Sequence, residues 1–261
     1  AAEGSPAAEA DSAEAGPPAA GEGIIMKRNA KTFFSETEGR AIEEAVRSAE
    51  AKTAGEIVVM VADTSALYRE AAVLGAVVLG VFSALAAEIL VRVFLMHGSF
   101  WAEGGSSFIY QLLTATATRI SVWTFIPLMI VSFYIWKFVI TKLPRLKLLF
   151  VSKTRLEEAV REGAVRAFYE KGLYRTRDET GILIYISLHE RRVWILGDRG
   201  INGKIQPDFW GSLSSVLAQS IRDGRAGAVI TSVIEKCGDE LARHFPRKPD
   251  DTDELDNRPI Y

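Results

Sequence analysis

Two long apolar runs interrupt a chain that otherwise alternates between helix and strand patterns. The first, 71–96, has no charged residue before Glu88, and the second, 120–140, has one charge, Lys137. At about 1.5 Å per residue, helices of this length cross the roughly 30 Å hydrocarbon core of a bilayer. We therefore predict a transmembrane hairpin at 70–141, with spans near 71–95 and 120–140. The alternative, two buried core helices, needs more apolar surface than the rest of the chain offers.

The segments on either side of the hairpin have the periodicities of one soluble α/β domain. Ser35 and Glu38 form a capping-box pattern before the first helix, and the strand after it is β-branched and almost wholly apolar. The link 189–191 is so short that the strands it joins must form an antiparallel hairpin. The predicted elements are a helix at 36–52, a strand at 55–63, a helix capped near Thr154 and ended by Gly172, strands at 181–188 and 192–197, and helices at 207–223 and 226–245.

This order predicts an α/β fold: a small mixed sheet with helices packed on its faces, interrupted by the two-helix transmembrane hairpin. The ends of the chain carry different compositions. The first 23 residues are Ala, Gly, Glu, Pro and Ser with a single Asp and no aromatic residue, which is typical of a disordered tail. The predicted parts are a disordered tail at 1–25, the first part of the domain at 33–68, the hairpin at 70–141, the second part at 152–246 and an acidic tail at 247–261.

The distribution of charge predicts an orientation. Lys and Arg flank the hairpin on its two outer sides, whereas the connection 97–118 has neither. The positive-inside rule then puts both termini in the cytoplasm and makes the chain a multi-pass protein of the inner (cytoplasmic) membrane. A lone cysteine, Cys237, excludes an internal disulfide, and a net charge of −2 argues against a nucleic-acid partner.

Three aspartates follow strand ends or begin a helix and are the candidate metal ligands. Asp63 ends the first strand, Asp198 ends the third, and Asp208 follows at the start of a helix. If they converge, their oxygens suit a hard cation such as calcium, which would be the cofactor. The alternative is that they cap turns and helices and pair with nearby arginines, as aspartates at turns commonly do.

Two charges within the first span are the candidate partner-binding residues. Glu88 and Arg92 are four residues apart, so they share one helix face and can pair. Charges inside a span often mark function, which favours contact with another membrane protein. The alternative is that both side chains reach the outer membrane surface, where long charged groups find water.

Four short stretches carry a resemblance to a known family. They are Thr-Ala-Gly-Glu-Ile-Val-Val at 53–59, Thr-Gly-Ile-Leu-Ile-Tyr-Ile at 180–186, Asp-Arg-Gly-Ile at 198–201 followed by Pro-Asp at 207–208, and Arg-His-Phe-Pro at 243–246. Over about 33–246 the chain resembles the TPM domain family, and it is most similar to the bacterial membrane branch with a hairpin inserted after the first strand. Asn202 departs from the family pattern, which has Glu at this position.

The resemblance implies a Rossmann-like α/β/α sandwich. It also implies a membrane accessory protein that assists the assembly, maintenance or regulation of a membrane protein complex, with a LemA-type membrane protein as a possible partner. The alternative that the family implies is a metal-dependent, calcium-binding, weak phosphatase. A third reading is a regulator that responds to calcium or another small ion and binds it without turnover. A non-catalytic role is favoured because the sequence shows no nucleophile–base pair.

Overall fold

The computed structural model describes residues 29–101, 121–249 and 254–261. Short 3-10 turns lie at Ala30–Thr32 and Leu173–Arg175. The helices and strands in chain order are α1 (Glu36–Glu50), β1 (Glu56–Ala62), α2 (Arg69–Trp101), α3 (Ser121–Lys142), α4 (Pro144–Leu149), α5 (Lys153–Glu170), β2 (Gly181–Ser187), β3 (Arg192–Gly197), α6 (Arg199–Asn202), α7 (Pro207–Arg222) and α8 (Ala226–His244).

The three strands form one mixed sheet in the order β1-β2-β3. β1 and β2 are parallel, with Glu56 opposite Gly181, whereas β2 and β3 are antiparallel, with Ile182 opposite Gly197. The antiparallel hairpin and the small mixed sheet predicted from the sequence are therefore confirmed.

Helices cover both faces of the sheet, which explains why its strands are so apolar. On one face, Ile57 and Val59 pack against Ile42 of α1 and against α7 and α8. On the other face, Leu183 packs against Phe168 of α5. Every residue of β2 is buried, as expected of a central strand between two helical layers. The α/β/α arrangement that the resemblance implied is the one observed.

Helix starts follow the capping chemistry of the sequence, with one correction. Ser35 and Glu38 make the predicted capping box of α1. α5, however, begins at Lys153 and not after Thr154, because the hydroxyl of Ser152 accepts the Arg155 N–H at 3.2 Å. Ser152 has the extended backbone (φ −67°, ψ 153°) of a helix cap.

The apolar runs form two long helices, α2 and α3, which pack against each other. Small residues recur every four positions on α2, at Ala72, Ala76, Gly80 and Ala84, and this spacing lets helix backbones approach closely. A Cβ added at Gly80 would lie 3.2 Å from the backbone of Phe133 on α3. Two stretches, Arg69–Val91 and Phe125–Lys142, are long and apolar enough to cross a membrane. Only 22% of the most apolar segment of the first stretch and 6% of that of the second are buried inside the structure.

The C-terminal segment, which the sequence marks only as an acidic tail, lies along β1. Ile260 donates its N–H to the Val59 carbonyl at 2.9 Å and accepts the Val61 N–H at 2.9 Å. Further back, the Glu254 carboxylate accepts the Arg177 N–H at 3.1 Å. The outer edge of β1 is therefore covered by the end of the chain.

Candidate functional site

The strand directions separate the predicted aspartates. Asp63 follows the end of β1, whereas Asp198 follows the end of β3, which runs the opposite way, so Asp198 lies beside Gly181 at the start of β2. Seven residues of strand at about 3.3 Å each put these two carboxylates roughly 20 Å apart. The expected convergence of Asp63, Asp198 and Asp208 therefore does not occur.

Each aspartate instead has a local environment. Asp63 Oδ1 accepts the Ala30 N–H at 2.6 Å, Asp198 Oδ1 accepts the Arg199 N–H at 2.7 Å as the cap of α6, and Asp208 lies exposed in the first turn of α7. Asn202 donates to the Gly197 carbonyl at 2.7 Å. Across the described residues, no group of three or more His, Cys, Asp and Glu is placed to hold a metal ion. The donors present do not fit a calcium site.

A buried carboxylate, Glu190, occupies the other end of the sheet. It lies in the tight turn between β2 and β3, where the parallel strands β1 and β2 both end. Glu190 is 7% exposed, and Ser187, which ends β2, is fully buried. In α/β folds the loops beyond the carboxyl ends of parallel strands commonly build sites, and this is that end.

Glu190 accepts hydrogen bonds on both of its carboxylate oxygens. Oε1 accepts the Tyr68 hydroxyl at 2.7 Å, the Ser65 N–H at 3.0 Å and the Thr64 hydroxyl at 3.1 Å. Oε2 accepts the Ser187 hydroxyl at 2.5 Å. We call this group (residues 64, 65, 68, 187 and 190) the Glu190 network.

The phenols around the carboxylate are held neutral. Burial, followed by the hydrogen bond to Glu190, raises the pKa of Tyr68 well above its usual value. Burial also raises the pKa of Tyr185, whose hydroxyl lies 3.4 Å from the Ser65 hydroxyl. Tyr68 therefore remains a hydrogen-bond donor to Glu190 throughout the physiological pH range.

The network joins the sheet to the first residue of α2. Tyr68 has a left-handed backbone (φ 44°), which is uncommon for a large side chain, and Arg69 begins the helix immediately after it. Tyr68 is also packed, with Ala71, against Ala159 of α5. A strained residue persists only where its surroundings determine its position, so the entry angle of α2 is determined by this contact.

The arrangement is built to position a helix. The carboxylate is buried and hydrogen-bonded, and the Ser187 hydroxyl has no accessible surface through which to attack a substrate. The network holds both serine hydroxyls, since Ser65 donates to Ser187 at 2.8 Å and Ser187 donates to Glu190. Its chemistry is that of a rigid joint between the sheet and the hairpin.

The charged pair in α2 lies partly outside the described side chains. The backbones of Glu88 and Arg92 are both helical, and Glu88 is half-buried, but the side chain of Arg92 is among those not described. Their predicted contact with a partner therefore stays a prediction.

The sequence did not indicate the residues of the Glu190 network, because each of them is a common residue type at its position. Tyr68 is 122 residues from Glu190, so only the folded sheet brings them together. One signal was present in the sequence: Tyr68 lies three positions before Ala71, where the uncharged apolar run begins.

Comparisons with known proteins complete the description of the site. The chain has 21% identity with the solved NMR structure of the BA42 protein from the psychrophilic bacterium Bizionia argentinensis, which covers 87% of this chain and 94% of that chain with a TM-score of 0.49. No curated protein matches the chain. The family model described as the TPM domain matches residues 145–240, which run from α4 into α8. The part of the chain at 145–240, including Ser187 and Glu190, is a TPM domain.

Proposed function

We propose that this protein is an integral membrane accessory protein whose cytoplasmic TPM domain assists the assembly, maintenance or regulation of a membrane protein complex. A LemA-type membrane protein is the partner class that we propose. The hairpin is the membrane-embedded contact, and the domain is the part that acts in the cytoplasm.

The outward surface of the hairpin supports a membrane location. Large apolar side chains on α2 and α3 remain exposed, including Phe82 (67%), Leu90 (69%) and Phe138 (65%). A monomeric soluble protein rarely leaves such a continuous apolar surface in water. Lipid or another membrane helix is the environment that matches it.

The Glu190 network is the observation that carries the proposal. Tyr68 is the residue directly before α2, and its hydroxyl donates to the buried Glu190 carboxylate at the end of the sheet. A tether needs no such bond, because a flexible link is sufficient to hold a domain at a membrane. A rigid joint is useful if a partner that displaces the hairpin must also move the domain, or if a movement of the domain must displace the hairpin.

The calcium-dependent phosphatase, which is the alternative, has no observation of its own in the described residues. It needs Asp63 and Asp198 at one site, and these residues lie at opposite ends of the sheet.

The proposed orientation places the domain in the cytoplasm and the connection 97–118 outside. Cysteine labelling in intact cells tests it, with Ser106→Cys in the connection and Ser215→Cys on α7. The native Cys237 is fully buried, and burial raises the pKa of its thiol to about 12, so it contributes little background. We expect an impermeant maleimide to react with the first variant in intact cells and with the second only after permeabilisation. The reverse pattern contradicts the orientation.

The proposed partner contact is tested by changing only the outward face of the hairpin. Phe82, Leu90, Tyr134 and Phe138 are replaced together by alanine, while the small residues between α2 and α3 are kept. We expect co-purification of a tagged LemA-type protein from gently solubilised membranes to be lost. The matched control replaces Leu67, which is 66% exposed before α2, by alanine and retains the partner. Retention of the partner by the outward-face variant contradicts the proposal.

A further inference from the structure

The two outer edges of the sheet differ in how they are covered. The edge of β1 is paired with the chain's own C-terminal segment through Ile260. β3 is the other edge strand, and within the described residues no segment pairs with its outer side. An edge strand with a free row of N–H and C=O groups is a template for another extended chain.

The backbone groups of β3 that face outward follow from its pairing with β2. Asp198 donates its N–H to the Gly181 carbonyl at 2.9 Å, and in an antiparallel ladder the direction of these bonds alternates along the strand. Val193 and Ile195 therefore turn their N–H and C=O groups away from β2. The carbonyl of Gly197 confirms this alternation, since the side-chain amide of Asn202 caps it from the outside at 2.7 Å.

A groove of about 490 Å³ runs along this edge. Its walls are α5, which contributes Glu157 and Val160, and α7, which contributes small residues such as Gly211 and Ser215. A Cβ added at Gly211 meets no atom within 4 Å, so there is open space over α7. The groove has room for the side chains of an added strand.

Two polar features show what an occupant must supply. The indole Nε1–H of Trp210, a residue that is 5% exposed and lines the groove, is buried without a hydrogen-bond acceptor in the described structure. Backbone carbonyls are such acceptors. Two arginines also line the groove. Arg192 forms a salt bridge with Glu157 at 2.7 Å, whereas Arg222 donates a hydrogen bond to the neutral side chain of Gln219 at 3.1 Å. The charge balance here favours an acidic residue.

We propose that the outer edge of β3 is a docking site for an extended segment of a partner protein, which adds as a fourth strand and places an acidic residue beside Arg222. The partner segment would bind as the C-terminal segment already binds to β1, through main-chain hydrogen bonds to a strand edge. These bonds provide affinity, and side-chain contacts in the groove provide selectivity. The β3 edge and the groove beside it use no residue of the hairpin, so this site extends the proposed function without depending on it.

Hydrogen exchange with a synthetic probe tests the docking site on the full-length protein in detergent micelles. The probe is a blocked peptide that alternates valine and threonine and ends in aspartate. We expect the amides of Val193 and Ile195, which are unpaired in the free protein, to gain about tenfold protection or more on binding. Those of Trp194 and Leu196, already bonded to β2, are protected before the peptide is added.

Two matched pairs of variants locate the probe. Gly211→Phe fills the groove and is expected to weaken binding at least about tenfold, whereas Gly211→Ala adds only a Cβ and is expected to leave the affinity within about threefold. Arg222→Gln is expected to weaken the binding of the peptide that ends in aspartate but not the binding of a counterpart that ends in asparagine. Both helix positions are exposed, and dispersed amide spectra establish that each variant is folded.

Three results overturn the proposal. The first is no binding of the probe at millimolar concentration to the folded wild type. The second is binding that leaves the Val193 and Ile195 amides unprotected or that is equal in both Gly211 variants. The third is protection that appears without peptide as protein concentration rises, since the occupant is then a second copy of this chain.

Discussion

Replacement of Tyr68 by phenylalanine removes one hydroxyl from the Glu190 network and leaves the ring packing intact. The hydroxyl donates to a buried carboxylate at 2.7 Å, and hydrogen bonds to charged groups contribute about 1.5–3 kcal/mol. Three donors remain on Glu190, so the carboxylate stays hydrogen-bonded. We therefore expect Tyr68→Phe to lower the free energy of unfolding of the domain by about 2 kcal/mol.

Tyr185→Phe is the matched control. Tyr185 is as buried as Tyr68 (4% against 6% exposed), but the hydrogen-bond partner of its hydroxyl is the neutral Ser65 hydroxyl, at 3.4 Å. A long bond between neutral groups contributes little, so the expected loss is below about 1 kcal/mol. The difference between the two variants isolates the bond to the charge from the loss of a phenolic oxygen.

Native-state hydrogen exchange in micelles measures both variants. The β2 amides lie in the buried centre of the sheet and report opening of the whole domain. Exchange of the α2 amides next to Tyr68 reports release of the joint. Equal losses in Tyr68→Phe and Tyr185→Phe, or an unchanged α2 start in Tyr68→Phe, refute the role given to the network.

Three further predictions test other parts of the structure. First, the pKa of Tyr68 in the folded protein lies above its ordinary value of 10.0, so its stabilising contribution is complete below pH 10 and is lost as the pH rises further. In urea unfolding measured against pH, the free energy of unfolding is expected to fall less steeply above pH 10 in Tyr68→Phe than in the wild type. Second, Gly80→Leu is expected to separate α2 from α3 and lower the thermal stability in detergent, whereas Gly39→Leu on α1, where an added Cβ meets no atom within 4 Å, is not. Third, removal of residues 260–261 is expected to speed hydrogen exchange of the Val61 amide, because this amide donates to the Ile260 carbonyl. Unchanged exchange contradicts the coverage of β1.

The sequence alone determined the elements and their order. Helix caps, strand composition and the length of the apolar runs are local properties, and they predicted the strands to within about one residue at each end. They also predicted the hairpin between β2 and β3, because three residues at 189–191 leave no other connection. The predicted start of α5 was wrong by two residues, because two hydroxyl residues, Ser152 and Thr154, compete as caps and only the backbone angles decide between them.

Only the tertiary structure decided which polar residues meet. The same polar pattern at strand ends is compatible with parallel or antiparallel neighbours, and the antiparallel β3 separates Asp198 from Asp63 by the length of the sheet. The Glu190 network joins residues more than a hundred positions apart, which no local pattern records. Edge coverage is decided in the same way, since the bridge that covers β1 joins Met60 to Ile260, which lie far apart in the sequence.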